Sequence, residues 1–251
     1  YPLQSQGLSL KQIAEKLLSK FNLKLIVDSE VSSEANKVFP DSTAEASGTI
    51  AGYLSSLATQ RGIILPHDTD GNILLTKAKT NKQPILNFDS ETGSTVPNTS
   101  MKLTFDGQAM HSHITVMKEA DDSGGNAGEY TIRNPFVINS VYRPKIIKQS
   151  SGDDNDSQKA AILALAEELK GIKLVIELDR WDIKNNGIIR PNNTVSVKNK
   201  NVYLYKETKW FIEEISYTGD VTQPKCTLTC VLPEVYNGNV PEYIWKGINL
   251  H

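Results

Sequence analysis

The residues best suited to bind a metal ion are two histidines two positions apart. His111 and His113 would point to the same side of a β-strand, where both imidazoles could reach one ion. A protein zinc site needs at least a third ligand. The other histidines, His67 and His251, lie far away in sequence. The sequence therefore favours no metal site, and we expect no cofactor.

Two acidic clusters resemble calcium loops only superficially. Asp68, Asp70 and Gly71 lack the EF-hand spacing, which requires glycine at the sixth position, where this chain has Ile73. The Asp70-Gly71 pair instead favours a hairpin turn. The aspartates within 153–156 fail the same test, and they favour a solvated loop that caps the next helix.

Motifs for nucleophilic or nucleotide chemistry are missing from the sequence. It contains no GxSxG elbow and no GxGxxG or Walker-type phosphate loop, and Gly124-Gly125 predicts only a loop tip. Carboxylates that are distant in sequence could still converge in space for sugar hydrolysis. The candidates are Glu167, Glu168, Glu177, Asp179, Glu213 and Glu214. Nothing favours such a pair: Glu167 and Glu168 predict the polar side of a helix, and Glu213 and Glu214 a strand edge or bulge. We expect no enzymatic activity.

The only cysteines, Cys226 and Cys230, are four residues apart in an alternating run. On one strand their Cα atoms would lie about 13 Å apart. That separation is too long for a disulfide. We interpret them as small core side chains on one strand face.

Residues 1–80 predict an α/β domain of two helix–strand units. In the first unit, Ser9 and Gln12 form a capping box for an amphipathic helix, and a strand follows at 23–28. In the second unit, a helical stripe begins at Ile50 and stops at Gly62, before a hairpin.

The middle of the chain predicts strands and one helix. Residues 81–149 predict an antiparallel β segment, part of a first barrel, with an exposed loop tip at 121–129. Residues 150–182 predict a helix, capped by Asp156 or Ser157, and a strand that leads to Trp181, a packing anchor at a domain junction.

The last quarter of the chain contains alternating strands and turns. Residues 183–238 predict a second β-barrel, in which Val195 and Val197 alternate with Thr194 and Ser196 as in a half-buried strand. Residues 239–251 form a tail that we expect to dock on a neighbour, because its aromatic side chains are too apolar to remain in water. The predicted class is α+β, mainly β, with two small antiparallel β-barrel-like domains and α/β insert domains.

Composition narrows the classes of protein further. The net charge of −2 argues against nucleic-acid binding through bulk electrostatics. No run approaches the roughly 20 apolar residues of a membrane span, and the start lacks the features of a signal peptide. These features predict a soluble protein made in the cytoplasm. Because residue 1 is not methionine, upstream sequence is expected to be missing.

The succession of motifs resembles the baseplate hub proteins of contractile phage tails, the Mu-type hub and late-control D family. The residues that carry the resemblance are SLKQIAEKLLSKFNLKL (9–25), RGIILPHDTDGNILLTKA (61–78), VYRPKII (141–147), RWD (180–182), GIIRPNNTVSV (187–197), WFIEEISYTGD (210–220) and TLTCVLPEVY (227–236). Each motif alone has low specificity, but together they cover most of the chain in the order of that family.

The resemblance implies a structural protein of the virion tail baseplate, made in the host cytoplasm. It implies a homotrimer whose two barrels per subunit form a ring around a channel, between the hexameric tail tube and the central spike, with other baseplate proteins nearby and DNA only passing through. The family-motif residues would be structural: Arg143, Pro144, Trp181, Arg190, Pro191 and Asn192. Family members begin with a further barrel portion of roughly one hundred residues that this sequence lacks.

Two alternatives stay open. Helix–strand units such as residues 9–78 also resemble the ring-forming periplasmic modules of secretins, which would place the chain in a secretion or envelope complex. The second alternative is a tail enzyme that degrades cell-wall glycan. The number of subunits in solution and glycan cleavage distinguish these possibilities.

Overall fold

The computed structural model describes residues 4–44, 48–68, 70–118, 129–149, 157–183, 187–220 and 222–245. The predicted loop tip through residue 128, the acidic residues within 153–156 and His251 lie outside these ranges. Contacts divide the chain into two units, residues 1–78 and residues 79–251.

The first unit contains three helices and two pairs of strands in its described residues. In chain order they are β1 (Gln4–Ser9), α1 (Leu10–Leu18), β2 (Leu25–Val27), α2 (Ser32–Asn36), β3 (Val38–Thr43), α3 (Ile50–Gln60) and β4 (Ile73–Leu75). Short 3₁₀ turns follow α1 and precede α2. β1 pairs with β3 antiparallel, and β2 pairs with β4 parallel.

Local sequence signals set both long helices of this unit. The Ser9 hydroxyl accepts a hydrogen bond from the Gln12 amide, and the Gln12 side chain accepts one from the Ser9 amide, so the predicted capping box is confirmed. Thr49 caps α3 by accepting a hydrogen bond from the Gly52 amide at 3.0 Å. The apolar faces of α1 and α3 share one core with Leu75 of β4.

The predicted hairpin turn near Asp70-Gly71 is also confirmed. Antiparallel bridges join Ile64 to Thr76 and His67 to Ile73. The Asp68 carboxylate accepts hydrogen bonds from Asn72, both backbone and side chain, and from the Asp70 amide. These bonds lower the pKa of Asp68, and the bond from the Asn72 side chain has the largest effect. The carboxylate thus stabilises the turn, because the donors that it accepts from belong to the turn itself.

The second unit contains eleven strands and two helices in its described residues. In chain order they are β5 (Leu86–Asp89), β6 (Ser100–Phe105), β7 (His113–Lys118), β8 (Glu129–Arg133), β9 (Pro144–Gln149), α4 (Ser157–Leu169), β10 (Ile172–Leu178), β11 (Asp182–Ile183), β12 (Gly187–Ile188), β13 (Thr194–Asn199), β14 (Leu204–Thr218), β15 (Lys225–Val231) and α5 (Glu234–Asn237). A 3₁₀ turn, Lys200–Val202, joins β13 to β14.

Six of these strands form one mixed sheet in the order β5-β13-β14-β15-β10-β6. All neighbours are antiparallel except β13 and β5, which run parallel. Alternate side chains of β10 are buried, from Ile172 to Leu178, as are Leu228 and Cys230 of β15. Burial of each large aliphatic side chain stabilises the fold by about 1.5–3 kcal/mol. The sheet therefore carries much of the core of this unit.

A second sheet has the order β8-β7-β9, and α4 packs against it. Ile114 and Val116 of β7 and Ile132 of β8 are buried, together with Leu165 of α4. The opposite face of the sheet is open, and Thr115 and Thr131 bond to each other there at 2.8 Å.

The α+β, mainly β class is confirmed, but none of the sheets among the described residues closes into a barrel. Strands from the predicted first barrel segment, β5 and β6, join the same sheet as β13, β14 and β15 from the second segment. The predicted segments therefore share one open sheet, because strand pairing here links residues about one hundred positions apart, such as Leu86 and Val195.

The strand β13 differs from the predicted half-buried pattern, because both of its faces are buried from Thr194 to Val197. Its polar side chains are paired instead of exposed. Thr194 donates to the Lys82 carbonyl at 3.1 Å, and Ser196 donates to Glu207 at 2.5 Å. Buried hydroxyls are tolerated when they are hydrogen-bonded, so the alternating pattern predicted the wrong burial for Thr194 and Ser196.

Among the described helices, none combines the length and the apolar character needed to cross a bilayer.

Candidate functional site

No group of three or more histidine, cysteine, aspartate or glutamate side chains that could hold a metal exists among the described residues. His111 binds the carboxylate of Glu168 through Nδ1 at 2.7 Å. His113 instead lies 3.0 Å from the Ser112 hydroxyl through Nδ1 and against the Tyr142 ring. The two histidines therefore have separate structural partners. The candidate functional features are the open edges of the sheets and the side-chain contacts that connect separate elements, which we call junctions.

The carboxylate of Glu168 on α4 organises the first of these junctions. Its side chain is only 5% exposed. It accepts hydrogen bonds from the His111 amide at 2.8 Å and the His111 ring at 2.7 Å, and Lys145 of β9 approaches to 3.5 Å. One buried carboxylate thus connects the helix, the segment before β7 and the edge strand β9.

Arg143 and Pro144 lie at the start of β9, directly beside this junction. The buried Ser112 accepts a hydrogen bond from the Arg143 amide through its hydroxyl, and its own amide donates to the Arg143 carbonyl, both at 2.8 Å. Pro144 is opposite His113 in the parallel pairing of β7 with β9. A proline has no N–H to donate, and the first position of an edge strand tolerates it. Both residues fix where β9 begins.

Trp181 joins the turn after β10 to the base of the β14–β15 hairpin. Its indole N–H donates to the Thr218 carbonyl at 3.1 Å and to the Lys225 carbonyl at 2.8 Å. Its backbone carbonyl accepts a hydrogen bond from the Ile189 amide at 2.9 Å, and Tyr217 donates its hydroxyl hydrogen to the Ile189 carbonyl. Burial raises the pKa of Tyr217, which stays a neutral donor.

We expect Trp181→Phe to lower the free energy of unfolding of the second unit by about 1–2 kcal/mol, because the ring remains but its N–H donor is lost. Urea unfolding followed by tryptophan fluorescence measures this change, since Trp210 and Trp245 lie in the same unit. Trp245→Phe, which loses a single hydrogen bond, is the matched control and should lose less. Equal stability of Trp181→Phe and the parent would contradict the role of the indole N–H.

Arg190, Pro191 and Asn192 form the turn before β13. Asn192 has a positive φ of 60°, a conformation that asparagine adopts more readily than most residues. Its side-chain oxygen accepts a hydrogen bond from the Lys79 amide at 2.7 Å, and its amide donates to the Ile212 carbonyl at 3.1 Å. Arg190 is exposed, and its carbonyl accepts a hydrogen bond from the Asn193 side chain. This turn sets the position of the central strand β13.

Three of the other carboxylates considered for catalysis, Glu167, Glu177 and Glu213, have separate partners. Glu167 pairs with Lys170 on the exposed side of α4, and Glu177 accepts a hydrogen bond from Ser100. Glu213 is the extra residue of a β-bulge in β14, as its sequence indicated, and accepts the Tyr236 hydroxyl at 2.5 Å. Burial and the bond to Glu213 raise the pKa of Tyr236. By contrast, Glu168 is buried and not on the polar side of its helix, so that prediction is wrong.

Both cysteines are buried, unpaired thiols, as their strand spacing predicted. Burial raises the pKa of Cys226 from 9.0 to about 11, and burial also raises the pKa of Cys230. The neutral thiol is therefore the form that the folded chain favours. This contribution to stability is present below pH 9.0 and is lost as the pH rises toward 11.

We expect a thiol-reactive dye at pH 8 to label neither cysteine in the native protein, because the thiolate is the reactive form. Both should react once guanidinium chloride unfolds the chain. Colorimetric titration of free thiols checks this result, and rapid labelling of one thiol in the native state would contradict it.

The described part of the C-terminal tail docks on its own unit. Tyr243 and Trp245 form a cluster of aromatic rings with Phe105 and Phe136, at centroid distances of 5.3 to 6.3 Å. The Trp245 indole donates to the Tyr203 carbonyl at 2.8 Å. These contacts lie within the same unit, and docking of the tail on a neighbour stays a prediction.

The first unit is similar to a described protein family. Residues 1–77 match the family model described as the second domain of gp44-like baseplate hub proteins. No curated protein matches the sequence significantly.

Three solved structures share the fold. The 43 kDa tail protein of prophage MuSo2 from Shewanella oneidensis has a TM-score of 0.73 and 21% identity, over 92% of this chain and 67% of that chain. The tail protein from Neisseria meningitidis MC58 has a TM-score of 0.75 and 17% identity, over 95% and 71%. Prophage tail protein gp18 from Listeria monocytogenes EGD-e gives 0.51 and 13%, over 91% and 66%. Because residues 1–77 match the hub family model, the resemblance to baseplate hub proteins is confirmed. The first two tail proteins share the fold over 92% and 95% of this chain.

Proposed function

We propose that this chain is a structural, non-enzymatic subunit of a phage or prophage tail baseplate, where three copies form a hub ring. The ring would join the hexameric tail tube to the central spike, and DNA would pass through its channel. The single observation that carries the proposal is the match of residues 1–77 to the hub family. The likeness of the fold to phage tail proteins supports it.

The open strand edges of the second unit suit assembly with other subunits. β5 and β6 end the six-stranded sheet, and β8 and β9 end the three-stranded sheet. Free edges of sheets promote pairing with other chains, and a closed ring would cover the edge of β9. Two sheets in each of three subunits would offer six faces to a sixfold tube without six identical chains. Arg143, Pro144, Trp181, Arg190, Pro191 and Asn192 would hold these edges in position.

The segment around β9 is the surface that we assign to contact between subunits. Ile146 is 64% exposed and Tyr142 is 78% exposed, and Val141 is also exposed. Clusters of exposed apolar side chains mark interaction sites more often than they mark free surface. The Glu168 junction would then keep this edge strand rigid for assembly.

Mass measurement in solution tests the ring. We expect multi-angle light scattering to give three times the 27.8 kDa of one chain. A ring of twelve or more copies would favour the secretin-like alternative, and a monomer that cleaves cell-wall glycan would favour the enzyme. Either result, or a monomer without activity, would overturn the trimeric hub.

A pair of matched variants locates the contact. Ile146→Asp should shift the trimer toward the monomer without changing urea unfolding, because the side chain is exposed in the single chain. Ile188→Asp changes a similarly exposed isoleucine on the short strand β12 and should leave the mass unchanged. Equal masses for both variants and the parent would exclude β9 from the interface.

A further inference from the structure

The strand β6 has a free edge that can accept another strand. Its only strand partner among the described residues is β10. The Asp106 amide donates to the Gly171 carbonyl at 3.0 Å, one position beyond the paired residues of β6 and β10. Because the direction of backbone hydrogen bonding alternates along an antiparallel strand, the N–H and C=O groups of Lys102 and Thr104 face β10. Those of Met101, Leu103 and Phe105 face the free edge.

An aromatic groove of about 660 Å³ lies along this edge. Its walls include Phe105, Phe136, Ile138, Tyr203, Tyr243 and Trp245. Ile138 is 62% exposed and Tyr203 is 60% exposed, so apolar surface remains open to solvent inside the groove. The groove therefore has unburied apolar area next to unpaired backbone groups.

The alternation of β6 determines what an added strand would present. Met101, Leu103 and Phe105 share one face of β6 and line the groove, which Lys102 also borders. Ser100, Lys102 and Thr104 alternate with them, and all three are exposed, as is Phe105. An added strand would place every second side chain beside the groove. Those side chains should be apolar and those between them polar.

Charge on the polar face adds a second requirement. Lys102 is exposed and forms no ion pair with any described residue, and the residues that line the groove include no carboxylate. Opposite charges on neighbouring strands stabilise pairing, and like charges destabilise it. An acidic side chain on the added strand, next to Lys102, would therefore be favoured.

The chain's own tail shows that the groove accepts aromatic side chains. Trp245 lies 5.7 Å from Phe105 and Tyr243 lies 5.7 Å from Phe136, between ring centroids. The described part of the tail, which ends at Trp245, forms one wall and adds no strand to β6. Its aromatic residues would extend the apolar surface that meets an incoming segment.

We propose that the free edge of β6 and the adjoining aromatic groove bind an extended segment of a partner protein. The segment adds a seventh strand to the sheet, with alternate apolar side chains in the groove and an acidic side chain next to Lys102. Main-chain hydrogen bonds supply affinity and the groove supplies selectivity, as in other strand-addition complexes.

A synthetic peptide tests this site on the full chain. The probe is the capped heptapeptide Thr-Val-Glu-Phe-Glu-Val-Thr, and the control peptide carries lysine in place of both glutamates. We expect saturable shifts of the Met101, Leu103 and Phe105 amide resonances with the acidic probe, slower hydrogen exchange at these amides, and binding of the control weaker by about threefold or more. Shifts confined to other residues, or no saturable binding, would overturn the proposal.

Charge reversal at one lysine provides the decisive control. Lys102→Glu should reverse the preference between the two peptides. Lys173→Glu, which changes an exposed lysine one strand further from the edge, should keep the original preference. An unchanged preference in Lys102→Glu would overturn the proposed pairing.

Blocking the edge itself gives an independent test. Leu103→Pro removes an outward-facing N–H without breaking a hydrogen bond to β10, and it should abolish binding. Tryptophan fluorescence establishes whether that variant is folded, and if it is not, the Lys102→Glu result decides. Peptide binding is separate from the mass of the ring, so failure of this site leaves the proposed hub function standing.

Discussion

Gly219→Ala should destabilise the second unit by at least about 3 kcal/mol. Gly219 lies in the turn between β14 and β15 with φ of +88°. A Cβ atom on this backbone would lie 2.0 Å from the Gln223 carbonyl oxygen and 3.1 Å from its carbonyl carbon. Both neighbours are backbone atoms, so no flexible side chain can move to relieve the clash.

The surrounding turn cannot shift easily. The Asp220 carboxylate accepts hydrogen bonds from the Thr222 hydroxyl and from the Thr222 and Gln223 amides. The bond from the hydroxyl, followed by those from the two amides, lowers the pKa of Asp220. Trp181 bonds the carbonyls on both sides of the turn. Moving the Gln223 carbonyl would therefore disturb the anchor of the β14–β15 hairpin as well as the turn.

Gly238→Ala is the matched control. Gly238 also has a positive φ, of +75°, but its added Cβ would meet no atom within 4 Å. Backbone strain alone costs about 1–2 kcal/mol. All three tryptophans lie beyond residue 79, so fluorescence during urea unfolding reports the second unit alone. If the two alanine variants lose the same stability, the clash with Gln223 does not exist.

Helices were predictable from the sequence because their signals are local. Ser9 and Gln12 cap α1 within four residues, and the spacing of Leu10, Ile13 and Leu17 defines its buried face. By contrast, β1 and β3 were not predicted, because their sequences QSQGLS and VFPDST show little apolar alternation. Their pairing depends on the core of the unit, which no local pattern reveals.

The order of the strands in the sheets could not be predicted from the sequence, for a related reason. The predicted barrels followed chain order, but β5 pairs with β13 and β6 pairs with β10, across 67 residues or more. Such pairings depend on which apolar faces find each other in three dimensions. Alternation within a strand predicts faces but not neighbours.

The burial of Glu168 could have been predicted from helical spacing. Ala161, Leu165, Glu168 and Leu169 are all buried, and they recur at the spacing of one helix face. Glu168 lies within that apolar stripe and not opposite it. A carboxylate at a buried helical position requires a partner, but the sequence does not identify that partner as His111, fifty-seven residues away.

Glu168→Ala should lower the free energy of unfolding of the second unit by about 3 kcal/mol. The change removes the acceptor of the His111 amide and of its ring, and it leaves the Lys145 ammonium without its carboxylate partner. Buried donors that lose their acceptor retain the full cost of leaving water. Amide hydrogen exchange along β9 should also accelerate, because the connection from α4 to that edge strand is lost.

Two further variants separate the causes of that loss. Glu168→Gln keeps one acceptor oxygen, but it removes the charge and replaces the second acceptor oxygen with an NH2 donor, so it should lose at least about half as much. Glu167→Ala, at the adjacent exposed position whose partner is Lys170, should change stability by less than about 0.5 kcal/mol. Since both alanine variants alter helix propensity equally, a difference between them measures the buried junction. Similar losses for Glu167→Ala and Glu168→Ala would mean that the carboxylate does not join α4 to β9.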